Sequence, residues 1–165
     1  MKKTIEFPTL KVTIETQEKK SIYVFEGDLD ENFKAGEIPL PTFPWAAFNL
    51  EKIAAINSIG IREWIKMIEN FRPVENFVFE KCSITFVDQM NMVPDSIGHA
   101  TVKSFYGPYF RDCNQCNGER NCLIEGDADM AAIANMLTPK KICGDCNEEL
   151  EFDALEESYF SFLRK

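Results

Sequence analysis

The sequence predicts an α/β domain followed by a small metal-binding module at its C-terminal end. Strand-like runs alternate with helical patterns through about the first hundred residues. Five of the six cysteines then fall between residues 113 and 146. A chain of 165 residues is long enough to bury a hydrophobic core. Because strands separated by helices favour crossover connections, we expect a largely parallel or mixed sheet.

Four short runs have the composition of β-strands, being rich in β-branched and aromatic residues or mostly apolar. They cover residues 21–25, 45–50, 77–80 and 102–106. The first run closes on the turn signal Glu26-Gly27-Asp28. The last is expected to stop at Gly107-Pro108, and we therefore place a domain boundary there, with residues 1–107 as the first domain and 108–165 as the metal-binding module.

Two amphipathic helices are predicted between these strands. The first has one apolar face and ends near Arg72-Pro73; the face is formed by Ile61, Trp64, Ile65 and Ile68. The second begins after Ser83, a suitable N-cap, and is broken at Pro94. Between residues 37 and 44 a long helix is excluded by three prolines, Pro39, Pro41 and Pro44.

The C-terminal module is predicted to contain two further helices. Residues 127–137 form a short one. A final helix begins at a capping box made by Asp153 and Glu156. Its apolar face consists of Leu155, Tyr159, Phe162 and Leu163. We expect this face to pack against the first domain, since the small module has too little surface of its own to bury it.

Net charge limits the classes of partner. The chain carries −9 overall; residues 1–107 have a net charge of −3, and residues 108–165 a net charge of −6. Such a surface repels phosphate backbones and argues against nucleic-acid binding. The N-terminal segment has two lysines but no long apolar run after them, and no stretch is long enough to span a bilayer. We therefore expect a cytoplasmic protein without a membrane segment.

Two CxxC pairs indicate a structural zinc site. Cys113 and Cys116 form the first pair, Cys143 and Cys146 the second, with 26 residues between the pairs. A CxxC turn directs two thiolates at one point, and zinc prefers four soft ligands in a tetrahedron. Gly118 and Gly144 lie where such tight turns need a permissive backbone. The whole module is predicted to resemble a zinc ribbon.

Other uses of the cysteines remain open. Disulfides are disfavoured in a reducing compartment, and a thioredoxin-like site needs one CxxC after a strand rather than two. Four thiolates also suit an iron–sulfur centre. Cys122 could replace one of the four ligands, although the symmetric pairs argue against it. Cys82 follows an apolar run and is expected to be a small buried residue.

Two motifs in the first domain resemble a known family. Residues 26–30 (Glu-Gly-Asp-Leu-Asp) follow a strand, and residues 57–60 (Asn-Ser-Ile-Gly) lead from a strand into a helix. This order resembles the STAS domain of bacterial anti-sigma-factor antagonists and of transporter cytoplasmic tails. In that family Gly-x-Leu-Asp precedes the first helix, and Asp-Ser-x-Gly begins the second. The resemblance covers about residues 5–107 and implies a mixed sheet with helices on one side.

The resemblance also implies roles for particular residues. Ser58 corresponds to the serine that a kinase phosphorylates in the family, and Asp30 to the acidic residue beside that loop. Asn57 stands where the family has aspartate, and Ile59 where it has a small residue. Asp30, Asn57 and Ser58 are thus the expected partner-binding residues. A hydroxyl at a helix N-terminus can receive a phosphate, but Ser58 can equally serve only as an N-cap.

These features together predict a regulatory binding protein and not an enzyme. Unmodified, the domain would bind an anti-sigma factor or a similar serine-kinase regulator, and phosphorylation of Ser58 would release it. A constitutive scaffold braced by zinc is the alternative. A zinc-dependent enzyme or a nucleic-acid-binding ribbon is a third hypothesis, disfavoured by the charge and by a closed four-cysteine site. His99 is the single histidine and is interpreted as a structural or surface residue.

Overall fold

The computed structural model describes residues 1–113, 115–116 and 118–164, and its strands form two β-sheets. The first sheet has six strands arranged in chain order: β1 (Lys2–Glu6), β2 (Leu10–Gln17), β3 (Lys20–Leu29), β4 (Trp45–Ile56), β5 (Asn76–Glu80) and β6 (Thr101–Val102). Strands β1 to β3 are antiparallel neighbours, whereas β3 to β6 run parallel. The predicted mixed sheet is confirmed.

Two helices cover one face of this sheet. Helix α1 (Ser58–Asn70) connects β4 to β5, and α2 (Ile84–Met92) connects β5 to β6. Trp64 of α1 and Phe86 of α2 have ring centroids 5.0 Å apart. Both rings also lie against Phe79 of β5, at 5.9 and 5.8 Å. The aromatic core under the two helices therefore places them on the same side of the sheet, as predicted.

The connection from β3 to β4 contains no α-helix. The family resemblance implies one after Asp30, but the structure has only a 3₁₀ turn, Ala35–Glu37, before the segment with three prolines. Proline removes a hydrogen-bond donor and clashes with the preceding turn, so the chain crosses to β4 in an extended form. Tyr23 holds this segment by donating from its hydroxyl to the carbonyl of Pro39 at 2.9 Å.

The second sheet contains β7 (Ser104–Arg111), β8 (Gly118–Glu125) and β9 (Glu151–Phe152), in the order β8-β7-β9. The expectation that a strand stops at Gly107-Pro108 is wrong, because β7 continues to Arg111 and the proposed boundary falls inside it. Pro108 is tolerated because its carbonyl accepts from Asp153, just beyond the two-residue strand β9. Proline has no N–H to donate on this side, and the missing hydrogen bond falls at the end of the β7–β9 pairing, where it is tolerated.

The last third of the chain adds α3 (Gly126–Ala134) and α4 (Glu156–Tyr159), then a 3₁₀ turn, Ser161–Leu163. The predicted helix at 127–137 is present, although it ends earlier. The predicted capping box is wrong, since Leu155 is the N-cap of α4 and no side chain caps it. Tyr159 and Phe162 are buried as expected, whereas Leu155 is 76% exposed.

Asn91 of α2 attaches this C-terminal segment to the first sheet's helical layer. Its side-chain amide donates to the carbonyl of Tyr159 at 2.9 Å. Its side-chain oxygen accepts from the hydroxyl of Ser161 and from the backbone amide of Phe162, at 2.8 and 2.9 Å. The expected packing of the C-terminal helix against the first domain is therefore observed, with a polar residue at its centre.

Candidate functional site

The four predicted ligand cysteines lie at the ends of two short antiparallel pairs. Cys113 and Cys116 lie in the turn between β7 and β8, directly beyond the last pair, Arg111 with Gly118. Cys143 and Cys146 lie in the loop before β9, next to the bridge between residues 142 and 149. Each antiparallel pair presents its CxxC turn at its tip, so residues from distant parts of the sequence meet at one point.

The thiols form a compact cluster. The Sγ atoms of Cys113, Cys116 and Cys146 all lie within 4.8 Å of one another. Cys113 and Cys116 are 2.7 Å apart and Cys116 and Cys146 are 3.2 Å apart, beyond the ~2.05 Å of a disulfide. The thiol of Cys143 lies beside those of Cys116 and Cys146, but it does not belong to the group of three mutually close sulfurs among the described residues. All six cysteines are free, and the cluster is compatible with metal binding.

Backbone amides stabilise the thiolate form of the first cysteine in each pair. The pKa of Cys113 is lowered to about 7 by a hydrogen bond from the thiol of Cys116, then by the amides of Gln115 and Cys116. The pKa of Cys143 is lowered by the amides of Cys146 and Asp145. The pKa of Cys116 is raised instead, mainly because its proton is shared with Cys113. The hydrogen bonds of the two turns therefore favour the thiolate form of these cysteines, which is the form that binds a metal cation.

Two arginines flank the sulfurs. The guanidinium of Arg111 lies near the sulfurs of Cys113 and Cys146 and donates through Nη1 to the carbonyl of Glu149 at 3.4 Å. Its Nε is buried without a hydrogen-bond partner among the described residues. Arg120 is held near the cluster by its ion pair with Asp145 at 3.1 Å. Four thiolates around a divalent ion carry a net charge of about −2, which two neighbouring guanidinium groups offset. The donor set and its surroundings therefore fit a bound metal.

The backbone of the two turns differs in part from expectation. Gly118 has φ +128°, which a residue with a side chain rarely adopts, so this glycine prediction is confirmed. Gly144 is not in a left-handed conformation; Asn147 takes that role, with φ +60° and its amide bonded to the carbonyl of Cys143 at 2.9 Å. Asn114 of the first pair lies outside the described residues.

The remaining two cysteines stand apart from the cluster. Cys82 is fully buried, as predicted, and burial raises the pKa of its thiol. Cys122 lies half-buried on β8, where desolvation also raises its pKa. Within the described part of the chain, Cys122 does not belong to the group of mutually close sulfurs.

The second candidate site is the junction between β4 and α1. Asn57 is the N-cap of α1, because its side-chain oxygen accepts from the amides of Ile59 and Gly60 at 3.1 and 2.8 Å. The interpretation of Ser58 as the cap is therefore wrong. Ser58 is the first helical residue and its side chain is exposed. Asparagine is among the strongest N-caps, and its extended backbone at φ −105° and ψ 175° suits the position.

The loop after β3 packs directly on this junction. The side-chain amide of Asn57 donates to Glu31 at 2.8 Å, and its backbone amide donates to the carbonyl of Leu29 at 3.0 Å. Asp30 accepts from the hydroxyl of Thr9 at 2.7 Å and from the amide of Asn32 at 2.9 Å. These hydrogen bonds, the one from Thr9 foremost, lower the pKa of Asp30. The loop with Asp30 and the junction with Asn57 and Ser58 thus share one end of the sheet.

Sequence reasoning missed several residues at both sites. Arg111 and Arg120 flank the first CxxC pair in sequence. Their positive charge close to two cysteines could have indicated that they belong to the site. Glu31 and Thr9 gave no local signal, because their partners are 26 and 21 positions away. His99 is structural, as expected, with its Nε2 at 3.0 Å from the carbonyl of Val74.

In comparisons with known proteins, neither a family model nor a curated protein matches this chain. Among the described residues, the longest helices are too short and too polar to cross a membrane.

Proposed function

We propose that this chain is a non-enzymatic regulatory protein-binding domain of the STAS kind, in which phosphorylation of Ser58 controls release of a protein partner. The observation that carries this proposal is the contact between the Asp30 loop and the start of α1. Gly60 approaches the carbonyl of Leu29 so closely that an added Cβ would lie 2.0 Å from that oxygen. This contact gives a physical reason for glycine at the last position of the family-like motif.

The position of Ser58 suits a phosphate-controlled switch. Its exposed hydroxyl begins a 13-residue helix, whose first amides and positive dipole end favour a phosphoryl group. A phosphoserine adds about −1.5 to −2 charge at pH 7, beside the carboxylates of Asp30 and Glu31. This added charge would repel an acidic partner surface and increase the cost of desolvating the interface. The partner class is an anti-sigma factor or a related serine kinase.

We further propose that Cys113, Cys116, Cys143 and Cys146 bind one structural zinc ion. Four thiolate ligands without an open position hold the β7–β8 turn and the loop before β9 together, and do not activate water. Iron in the same site is the competing assignment. Because free thiols persist in reducing compartments, the proposed location is the cytoplasm.

A constitutive scaffold is the second candidate function. It is favoured by the hydrogen bond between Asn57 and Glu31, since the junction already has its polar groups paired without a phosphate. In this case α1 and the Asp30 loop form a fixed binding surface, and Ser58 is only an exposed helical residue.

Affinity purification from the native organism tests the two candidates. Wild type, Ser58→Ala and Ser58→Asp serve as baits, and Ser158→Asp, an exposed serine on α4, is the matched charge control. The switch predicts that Ser58→Asp loses a partner that the other three baits retain. Mass spectrometry of the native protein should also detect phosphate on Ser58. Equal recovery of the same partners by all baits would reject the phosphorylation switch and would be consistent with the constitutive scaffold.

A further inference from the structure

A separate surface lies on the C-terminal module, where three large apolar side chains are exposed to water. Met136, Leu137 and Leu155 have exposed fractions of 63%, 62% and 76%. The hydroxyl of Thr138 donates to Glu156 at 3.1 Å, which holds the segment after α3 beside the start of α4. We refer to Met136, Leu137 and Leu155 as the apolar patch.

The backbone at Met136 is unfavourable for its side chain. Helix α3 ends in a Schellman motif, in which Leu137 donates to the carbonyl of Ala132 and Met136 to that of Ile133, at 2.8 and 3.0 Å. Met136 occupies the left-handed position with φ +63°, where glycine is the usual residue. A long side chain there is strained, and strain of this kind concentrates at functional positions. The chain thus keeps an exposed methionine where glycine would be more stable.

Exposed carboxylates flank Leu155 of the patch along the chain. Asp153, Glu156 and Glu157 are exposed next to Leu155 in sequence, and residues 108–165 have a net charge of −6. Three of the cations in this module form ion pairs with its own acids: Arg120 with Asp145, Lys140 with Glu149 and Lys141 with Asp129. Leu155 is therefore an exposed apolar residue flanked by the carboxylates of Asp153, Glu156 and Glu157, which we call the carboxylate rim.

We propose that the apolar patch binds a basic amphipathic helix of a partner protein. An amphipathic helix inserts apolar residues into such a surface, while its lysines and arginines meet the carboxylate rim. A negatively charged membrane surface would be repelled by the same carboxylates. The inference does not depend on Ser58, since no residue of the switch junction belongs to the patch.

The test uses the metal-loaded full chain and a fluorescent peptide of about five helical turns, composed of leucine and lysine with one apolar face. A scrambled peptide of the same composition controls for charge alone. Fluorescence anisotropy should show binding at least about tenfold tighter for the amphipathic peptide, weakening with salt. Leu137→Ser and Leu155→Ser should each lower the affinity about tenfold. Met92→Ser, which removes a 70% exposed methionine on α2, should leave it unchanged.

Met136→Gly gives the sharpest result, because it should raise the melting temperature and weaken peptide binding in the same protein. A variant that is more stable cannot lose binding through misfolding. Absence of binding, equal binding of the scrambled peptide, or equal affinity of the patch variants would each overturn the proposal. Preferential binding of anionic phosphatidylglycerol vesicles, or self-association through the patch, would overturn it as well.

Discussion

Gly60 of α1 packs against the carbonyl group of Leu29 with no room for a side chain between them. A Cβ at residue 60 would lie 2.0 Å from the oxygen and 2.2 Å from the carbon of that carbonyl. The neighbouring atoms belong to the backbone of β3 and cannot rotate away. This contact holds the start of α1, which carries Asn57 and Ser58, against the end of β3.

Gly60→Ala should accordingly destabilise the protein by about 1–3 kcal/mol, the usual range for overpacking. Thermal or urea unfolding measures this free energy. Gly36→Ala is the matched control, since nothing lies within 4 Å of its added Cβ. The control should be neutral or slightly stabilising, by up to about 1 kcal/mol. Equal stability of the two variants would contradict the close approach of α1 to β3.

Asn57 and Ser58 should differ sharply in their effect on stability. Asn57→Ala removes the cap of α1 and should cost about 1 kcal/mol, up to about 2. Ser58→Ala should change the free energy of unfolding by less than about 0.5 kcal/mol, because no hydrogen bond of the cap passes through this side chain. Urea denaturation of both variants measures the difference. A larger loss at Ser58 than at Asn57 would refute the assignment of the cap.

Metal content should depend on the clustered cysteines alone. Wild type should carry about one zinc per chain, and Cys143→Ser should lose it, since a hydroxyl is a much poorer ligand than a thiolate. Cys122→Ser, the matched control on β8, should retain the metal. Elemental analysis of purified protein decides between these outcomes. Iron in place of zinc would contradict the assignment of this site to zinc.

The same variants should differ in protease sensitivity. Binding of a structural metal contributes directly to folding, so Cys143→Ser should expose residues 108–165 to limited proteolysis while the six-stranded sheet stays resistant. A resistant C-terminal module without metal would show that the two sheets hold the cysteine loops without an ion.

Asn91 should contribute to stability out of proportion to its size. Asn91→Ala leaves the carbonyl of Tyr159 and the amide of Phe162 without their present partners, and should cost about 1–3 kcal/mol. Ser161→Ala removes only one hydrogen bond to the same residue and should cost about 1 kcal/mol. Chemical denaturation compares the two.

Deletion of residues 153–165 should go further, exposing apolar surface and lowering solubility.

Acid titration of Asp30 should depend on Thr9. The hydrogen bond from Thr9 lowers the pKa of Asp30 in the folded protein, so its stabilising effect is present above the unfolded-state pKa and is lost as pH falls through the folded one. Thr9→Val should therefore raise the pKa of Asp30 towards its ordinary value. NMR titration of the carboxyl carbon measures it, and Thr4→Val on β1 is the control. An unchanged pKa would show that the hydrogen bond from the amide of Asn32 is enough to keep the pKa of Asp30 low.

Local patterns predicted the four α-helices of the described residues, but they did not predict strands β1, β2, β8 and β9. They also failed where a distant partner determines the local structure. The helical period of Ile61, Trp64 and Ile68 correctly identified α1, because hydrophobic period reports one buried face. The predicted end of this strand at Gly107-Pro108 was wrong, because β8 and β9 pair with β7 beyond Pro108 and extend it to Arg111. The cap of α4 was also wrong, since burial of Tyr159 against α2 holds that short helix without a capping side chain.

The sequence by itself determined the alternation of strands and helices in the first domain, the two CxxC pairs and Gly60, the glycine of residues 57–60. These depend on residue type and short spacing, which are properties of the chain alone. The tertiary structure decided which polar groups pair: Asn57 with Glu31 across 26 positions, Arg111 with the carbonyl of Glu149, and Asn91 with the last helical turn. Such partners lie far apart in sequence and meet only when the packed elements bring their segments together, so no local pattern encodes the choice.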